Sequence, residues 1–152
     1  MKRFLITCFL MGITLISIAH GSVYRTLGEI KNAENVYIEF SHYENKEQFY
    51  KRVVITDEKN KEYLKNLFGR AREYGELPCK CPTDNISVIF DTSNGKHTFS
   101  FGVSGDHLNY FDTMGKYVHF SDGEYCELLR FFLTFDEIGF YKRDILEFFK
   151  WR

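Results

Sequence analysis

Proline is nearly missing from this chain of 152 residues: there are 2, Pro78 and Pro82, and both sit in one short segment. That scarcity excludes an extended polyproline stalk and the Pro-rich composition of many disordered linkers. An excess of positive charge is lacking too, with 20 basic against 21 acidic residues and a formal net charge of −1. A chain without a basic surplus has no electrostatic footprint for a phosphate backbone, so nucleic acid is not an expected partner. No low-complexity tract and no internal repeat is visible, and one Gly-x-Ser-x-Gly elbow or one HExxH pair is sought in vain. "GVSGD" is too short a glycine pattern for a phosphate cradle.

Large rings, by contrast, are plentiful. Sixteen Phe and 10 Tyr promise a packed core, because each ring removes much apolar area from water. The length suits one domain with one core.

The chain opens "MKRFLITCFLMGITLISIAHGS". Lys2 and Arg3 precede an uncharged apolar run from Phe4 to Ala19, and small residues Ala19 and Gly21 precede Ser22. The run is shorter than the roughly 20 apolar residues of a spanning helix and is diluted by Thr and Ser. This pattern predicts a cleavable secretory signal peptide over residues 1–21, cut after Gly21, followed by one α+β domain over 22–152. Localisation is then secreted or periplasmic, with only transient membrane contact through the leader. Loss of Lys2 and Arg3 leaves 18 basic against 21 acidic residues, a net charge of −3.

Hydrophobic periodicity supplies the architecture. "NVYIEFSHY" and "QFYKRVVIT" are β-branched and aromatic, with "ENKE" between them, and predict a hairpin. Val36, Ile38, Phe40, Phe49, Val53 and Ile55 fall on one face by the two-residue period. "TDEKNKEYLKNLFGRARE" switches to helical spacing through Leu64, Leu67, Phe68 and Ala71, with Thr56 or Asp57 as its cap and Asp57 and Lys61 spaced as an ion pair. "NISVIFDTSNGKHTFSFGV" predicts two strands about Asn94-Gly95, a dipeptide that accepts positive φ. "HLNYFDTMGKYVHFS" predicts two shorter strands about Gly115. Ser121 and Glu124 have capping-box spacing before a helix with a Tyr125, Leu128, Leu129, Phe132 seam. Gly139 interrupts, and "FYKRDILEFFKW" predicts a last amphipathic helix with Ile145 and Phe149 on its apolar side. The expected fold is α+β: one mainly antiparallel sheet of about six strands, order ββαββββαα, with helices on one face.

Three groups of residues are candidates for function. After processing, Cys79, Cys81 and Cys126 remain, an odd number for an oxidising compartment. A disulfide from Cys126 to Cys81 or to Cys79 would close a loop of about 45 residues and stabilise the fold by about 4 kcal/mol in the chain-entropy model. The same three thiols define the alternative reading, a periplasmic metal- or thiol-handling protein, although one Cys-x-Cys clip is not the zinc spacing. His42, His97, His107 and His119 are read as scattered surface histidines; strand pairing is the one device that would bring His97 and His119 together.

The third group is the reverse of the apolar hairpin face. Tyr37, Glu39, Ser41 and Tyr43 should point outward beside Tyr50 and Arg52, with Thr98 and Ser100 extending the same surface. Rings with polar handles, an arginine and small hydroxyls form the composition of a recognition surface, since rigid side chains lose little entropy on binding. Ordinary cross-strand pairs on a solvated sheet have the same composition. The expected function is therefore non-enzymatic: a small exported, inhibitor- or immunity-like module that binds a protein or peptide through this face or an edge strand, with no cofactor and no resident metal. An active site assembled only in three dimensions is the remaining possibility.

Overall fold

Helix periodicity and strand alternation have to meet on one apolar layer, and the computed structural model shows where they do. It describes residues 25–44, 47–73, 85–102, 110–113 and 116–150. The predicted leader lies outside these residues, as do Cys79, Cys81 and His107.

Residues 25–29 are helical and run into a 3-10 turn, Ile30–Asn32. Strands β1 (Asn35–Glu44) and β2 (Glu47–Ile55) follow, then helix α1 (Glu58–Phe68) and a two-residue strand β3 (Arg72–Glu73). Next come β4 (Asn85–Thr92), β5 (Gly95–Gly102), β6 (Tyr110–Thr113) and β7 (Lys116–His119). Helix α2 (Asp122–Phe132), a 3-10 segment (Asp136–Tyr141) and helix α3 (Lys142–Lys150) close the chain. The sheet is antiparallel in the order β2-β1-β4-β5-β6-β7-β3, with long strands on the β2 side and short ones on the other. This is the α+β class expected from the sequence.

One face of the sheet is buried. Val36, Ile38 and Phe40 from β1, Ile86, Val88 and Phe90 from β4, Phe99 from β5 and Val118 from β7 form one core with Leu64, Leu67 and Phe68 of α1 and Tyr125, Leu128, Leu129 and Phe132 of α2. Phe68 is the junction: its ring centroid lies 5.2 Å from Phe90, 5.0 Å from Phe99 and 5.1 Å from Phe120, all in edge-to-face geometry. Such contacts add about 0.5–1.5 kcal/mol per pair to the burial of the ring itself. Phe40 meets Phe132 in the same way at 6.3 Å, joining β1 to α2.

Local chemistry sets the element ends. Asp57, not Thr56, caps α1 by accepting from the Asn60 amide at 2.9 Å. Lys61 pairs with Glu58 at 2.6 Å, three residues away, in place of the expected Asp57. Helix α1 ends at Phe68; the Gly69 amide still bonds the Lys65 carbonyl oxygen, and a Cβ there would sit 2.9 Å from that oxygen. Ala71, expected on the helical seam, is buried beyond the helix end, and Arg72 and Glu73 pair with His119 and Val118 as the unforeseen β3. At the β4-β5 turn Gly95 has φ +127°. The Thr92 hydroxyl fastens that turn, donating to the Gly95 carbonyl at 2.9 Å and accepting from the Asn94 amide. Ser121 and Glu124 form the capping box of α2 reciprocally. Burial pushes the Glu124 carboxyl upward, but hydrogen bonds from Ser121 and the charges of Arg70 and Arg72 hold it below its ordinary value overall.

Phe68→Ala is expected to destabilise the protein by about 3–5 kcal/mol, because a ring packed on three others leaves a cavity that cannot collapse. Gly95→Ala should cost about 1–2 kcal/mol through backbone strain alone. Urea unfolding of both variants checks the ranking; equal losses would contradict the central place given to Phe68.

Candidate functional site: the outer sheet face and the β2 edge

Strand register arranges the outer face in rows. Val54 lies opposite Tyr37, Tyr37 opposite Ile89, and Ile89 opposite Thr98. The next row runs Arg52, Glu39, Ser87, Ser100, Asp112, Tyr117. A third starts Tyr50, Ser41, Asn85. Tyr37, Glu39, Ser41, Tyr50, Arg52, Thr98 and Ser100 therefore share one side of the sheet, alternating with core residues. Tyr43 takes part by register alone, opposite Gln48.

Glu39 organises the exposed end of this face. It accepts from Arg52 Nε at 2.7 Å and forms an ion pair with the other end of the same guanidinium, and it accepts from the Tyr50 hydroxyl. The Arg52 guanidinium carbon in turn lies 5.4 Å from the Tyr37 ring centre and 5.8 Å from that of Tyr50, within cation-π range. Partial burial pushes the Tyr50 phenol above its ordinary value, and the Glu39 carboxylate pushes it further the same way. The Glu39 hydrogen bond raises Arg52 above its ordinary value. Farther across the sheet, the Ser87 and Ser100 hydroxyls are 2.7 Å apart. Rings and charge here are held to one another before any partner arrives.

Three residues outside the candidate set also contribute: Val54, 51% exposed in the first row, Ile89, buried at its centre, and Ser87, which bonds Ser100. Alternation along β4 is the signal that places Ile89, since Val88 and Phe90 claim the core face; the "VIF" run hides it by being apolar on both sides.

The histidines need correction. His97 is not on the surface: it is buried, on the same face of β5 as core Phe99, and its Nε2 lies 3.1 Å from Glu29 Oε2. His42 is half-buried and stacked on Phe49 at 5.0 Å and 13°. His97 and His119 do not meet, for β6 separates their strands and His119 alternates with core Val118. Glu29 also accepts from Arg25 Nε at 2.8 Å. That hydrogen bond is the main reason its carboxyl titrates below the ordinary 4.5, against partial desolvation and with help from His97.

Cys126 is half-buried and is a free thiol in this structure, while Cys79 and Cys81, its expected partners, lie outside the described residues. Among the described residues no group of three or more His, Cys, Asp or Glu is placed to hold a metal ion. Also among them, no helix is long and apolar enough to cross a membrane.

Beside this face, β2 is the edge of the sheet and pairs with β1 alone among the described strands. Its register is unbroken from Val36–Ile55 to Glu44–Glu47, so no bulge twists it away. Residues 48–52 are all exposed. No family model matches the chain, and no curated protein or solved structure is significantly similar to it.

Glu39→Gln should bring the Tyr50 ionisation down toward, but not fully to, its ordinary value, because the burial contribution persists; ultraviolet titration of the variant against the native protein reads this. An unchanged titration would show that Glu39 does not act on Tyr50. For Glu29 the folded value lies below the unfolded one, so its stabilisation is complete above the unfolded pKa and fades as pH falls through the folded value. Glu29→Gln should accordingly lower the urea midpoint at neutral pH and converge with the native protein in acid.

Proposed function

We propose that this chain is an exported binding module that engages another protein or peptide through the outer sheet face and the adjoining β2 edge. Export rests on the leader pattern of residues 1–21. Binding rests on one observation above the rest: Tyr37, Tyr50 and Val54 stand beside a guanidinium already fixed by Glu39, on the border of a regular strand edge. Preorganised rings and a preorganised arginine lose little freedom on association, and those residue types dominate the energetics of known interfaces. The inhibitor- or immunity-like role is the biological form such a module takes in an envelope compartment.

The experiment is capture of partners from envelope extract by the mature chain, in parallel with a Tyr50→Ala/Arg52→Ala variant. Both substitutions are on the surface, so the variant should stay folded, which circular dichroism checks. The expected result is a partner that binds the native chain and is lost, by more than about tenfold in affinity, from the variant. A partner held equally by both would move the binding site away from this face.

A further inference from the structure

The same edge strand has a second side, turned toward the helices, and that side is not fully filled. Between β1, β2 and the 3-10 segment lies a cavity of about 140 Å³. Phe40, Ile138 and Tyr141 are buried at its base, the stacked His42 and Phe49 form a wall, and the exposed Lys51 stands at its mouth. The Tyr141 hydroxyl donates to the Ser41 carbonyl, which pins the 3-10 segment to β1 and keeps the base in place. Gly139 lines the cavity with open space where a Cβ would be. The volume is close to that of a cavity known to admit one benzene, about 150 Å³, and so suits a single Leu, Ile or Phe side chain.

Resting on the edge-strand part of the reading above, we propose that β2 recognises an extended polypeptide segment carrying one Leu-, Ile- or Phe-sized residue and, two positions away, a carboxylate. The geometry of a sheet dictates the spacing. A strand added to β2 presents every second side chain on the face that Phe49 and Lys51 share, so the residue entering the cavity beside Phe49 and the one reaching Lys51 are two apart. Lys51 makes no ion pair with any described residue, in contrast to Arg52 on the other face, and a partner carboxylate supplies that counter-charge. Glu137, also at the cavity, disfavours an acidic residue in the apolar position itself.

A second copy of the chain is a poorer occupant. Full overlap of two antiparallel β2 strands is centred on Lys51 and sets Lys51 opposite Lys51, a like-charge pair across the ladder. An edge this long and regular, without proline or bulge, is what proteins ordinarily protect. Here Lys51 selects among incoming strands while the edge remains open to the right one.

Fluorescence polarisation with labelled peptides built on an alternating Thr/Val strand tests the assignment on the full folded protein. The peptide with Leu and Asp two apart should bind, and replacing Leu by Ser or Asp by Lys should weaken it by about tenfold or more, the scale of one buried side chain. Lys51→Glu should reverse the preference so that the Lys-containing peptide binds better, and Phe49→Ala should erase the advantage of Leu, with circular dichroism unchanged in both. Binding indifferent to Leu and Asp overturns the recognition rule while leaving a pairing edge. Failure of every peptide, alongside a native partner lost by Tyr50→Ala/Arg52→Ala, overturns the rule and leaves the outer-face reading intact; failure of both experiments removes the two together. A concentration-dependent dimer in sedimentation that Phe49→Lys abolishes gives the edge to a second copy and also overturns it.

Discussion

Everything in this molecule depends on how Phe68 seats helix α1 against the sheet. The ring comes from the last residue of the helix and touches aromatic residues of β4, β5 and the β7-α2 junction at once. A single side chain thus joins the helix to two strands and to the start of α2, beside Leu64 and Leu67 in the same core. Beyond Gly69 the chain turns, and Arg72 and Glu73 add β3 to the far side of the sheet. Aromatic packing is directional as well as apolar, which is why one ring among many can hold the layer in register.

A sheet fastened on one side has two unlike surfaces, and the contrast is chemical. On the core side, rings interlock and polar groups are few; on the outer side, Glu39 gathers Arg52 and Tyr50 around itself and Arg52 lies against two rings. A cross-strand ion pair with this much exposure contributes little to stability, because water and salt screen it. Its larger effect is to hold an arginine and two tyrosines in one conformation. The edge strand joins both worlds, with Tyr50, Arg52 and Val54 on one side and Phe49 and Lys51 on the other. Its residues 48–52 are exposed on both faces.

Much of the fold was legible because it is written in short-range patterns. Two-residue alternation in "NVYIEF" and "VVIT", the Asn94-Gly95 turn and the Ser121-Glu124 box each report on neighbours a few residues away, and each appears in the structure. The outer-face residues were legible for the same reason, since alternation assigns a side once a strand is known. The places where the reading went astray are those where distant segments decide. The helical period runs on through Ala71, although helix α1 ends at Phe68 and Ala71 packs beyond it. His97 looked like a surface residue because nothing local announces that Glu29 folds over it.

By itself, then, the sequence determined the class of the fold, the side of the sheet to be buried and the composition of the face left outside, because periods of two and near four are properties of the local backbone. Tertiary structure alone decided which strand became the edge, which residues met across it, and that a cavity opened between Phe49 and Tyr141, residues far apart in the chain. Strand order and cavity shape are set by how elements separated along the chain pack together, and no local pattern carries that information.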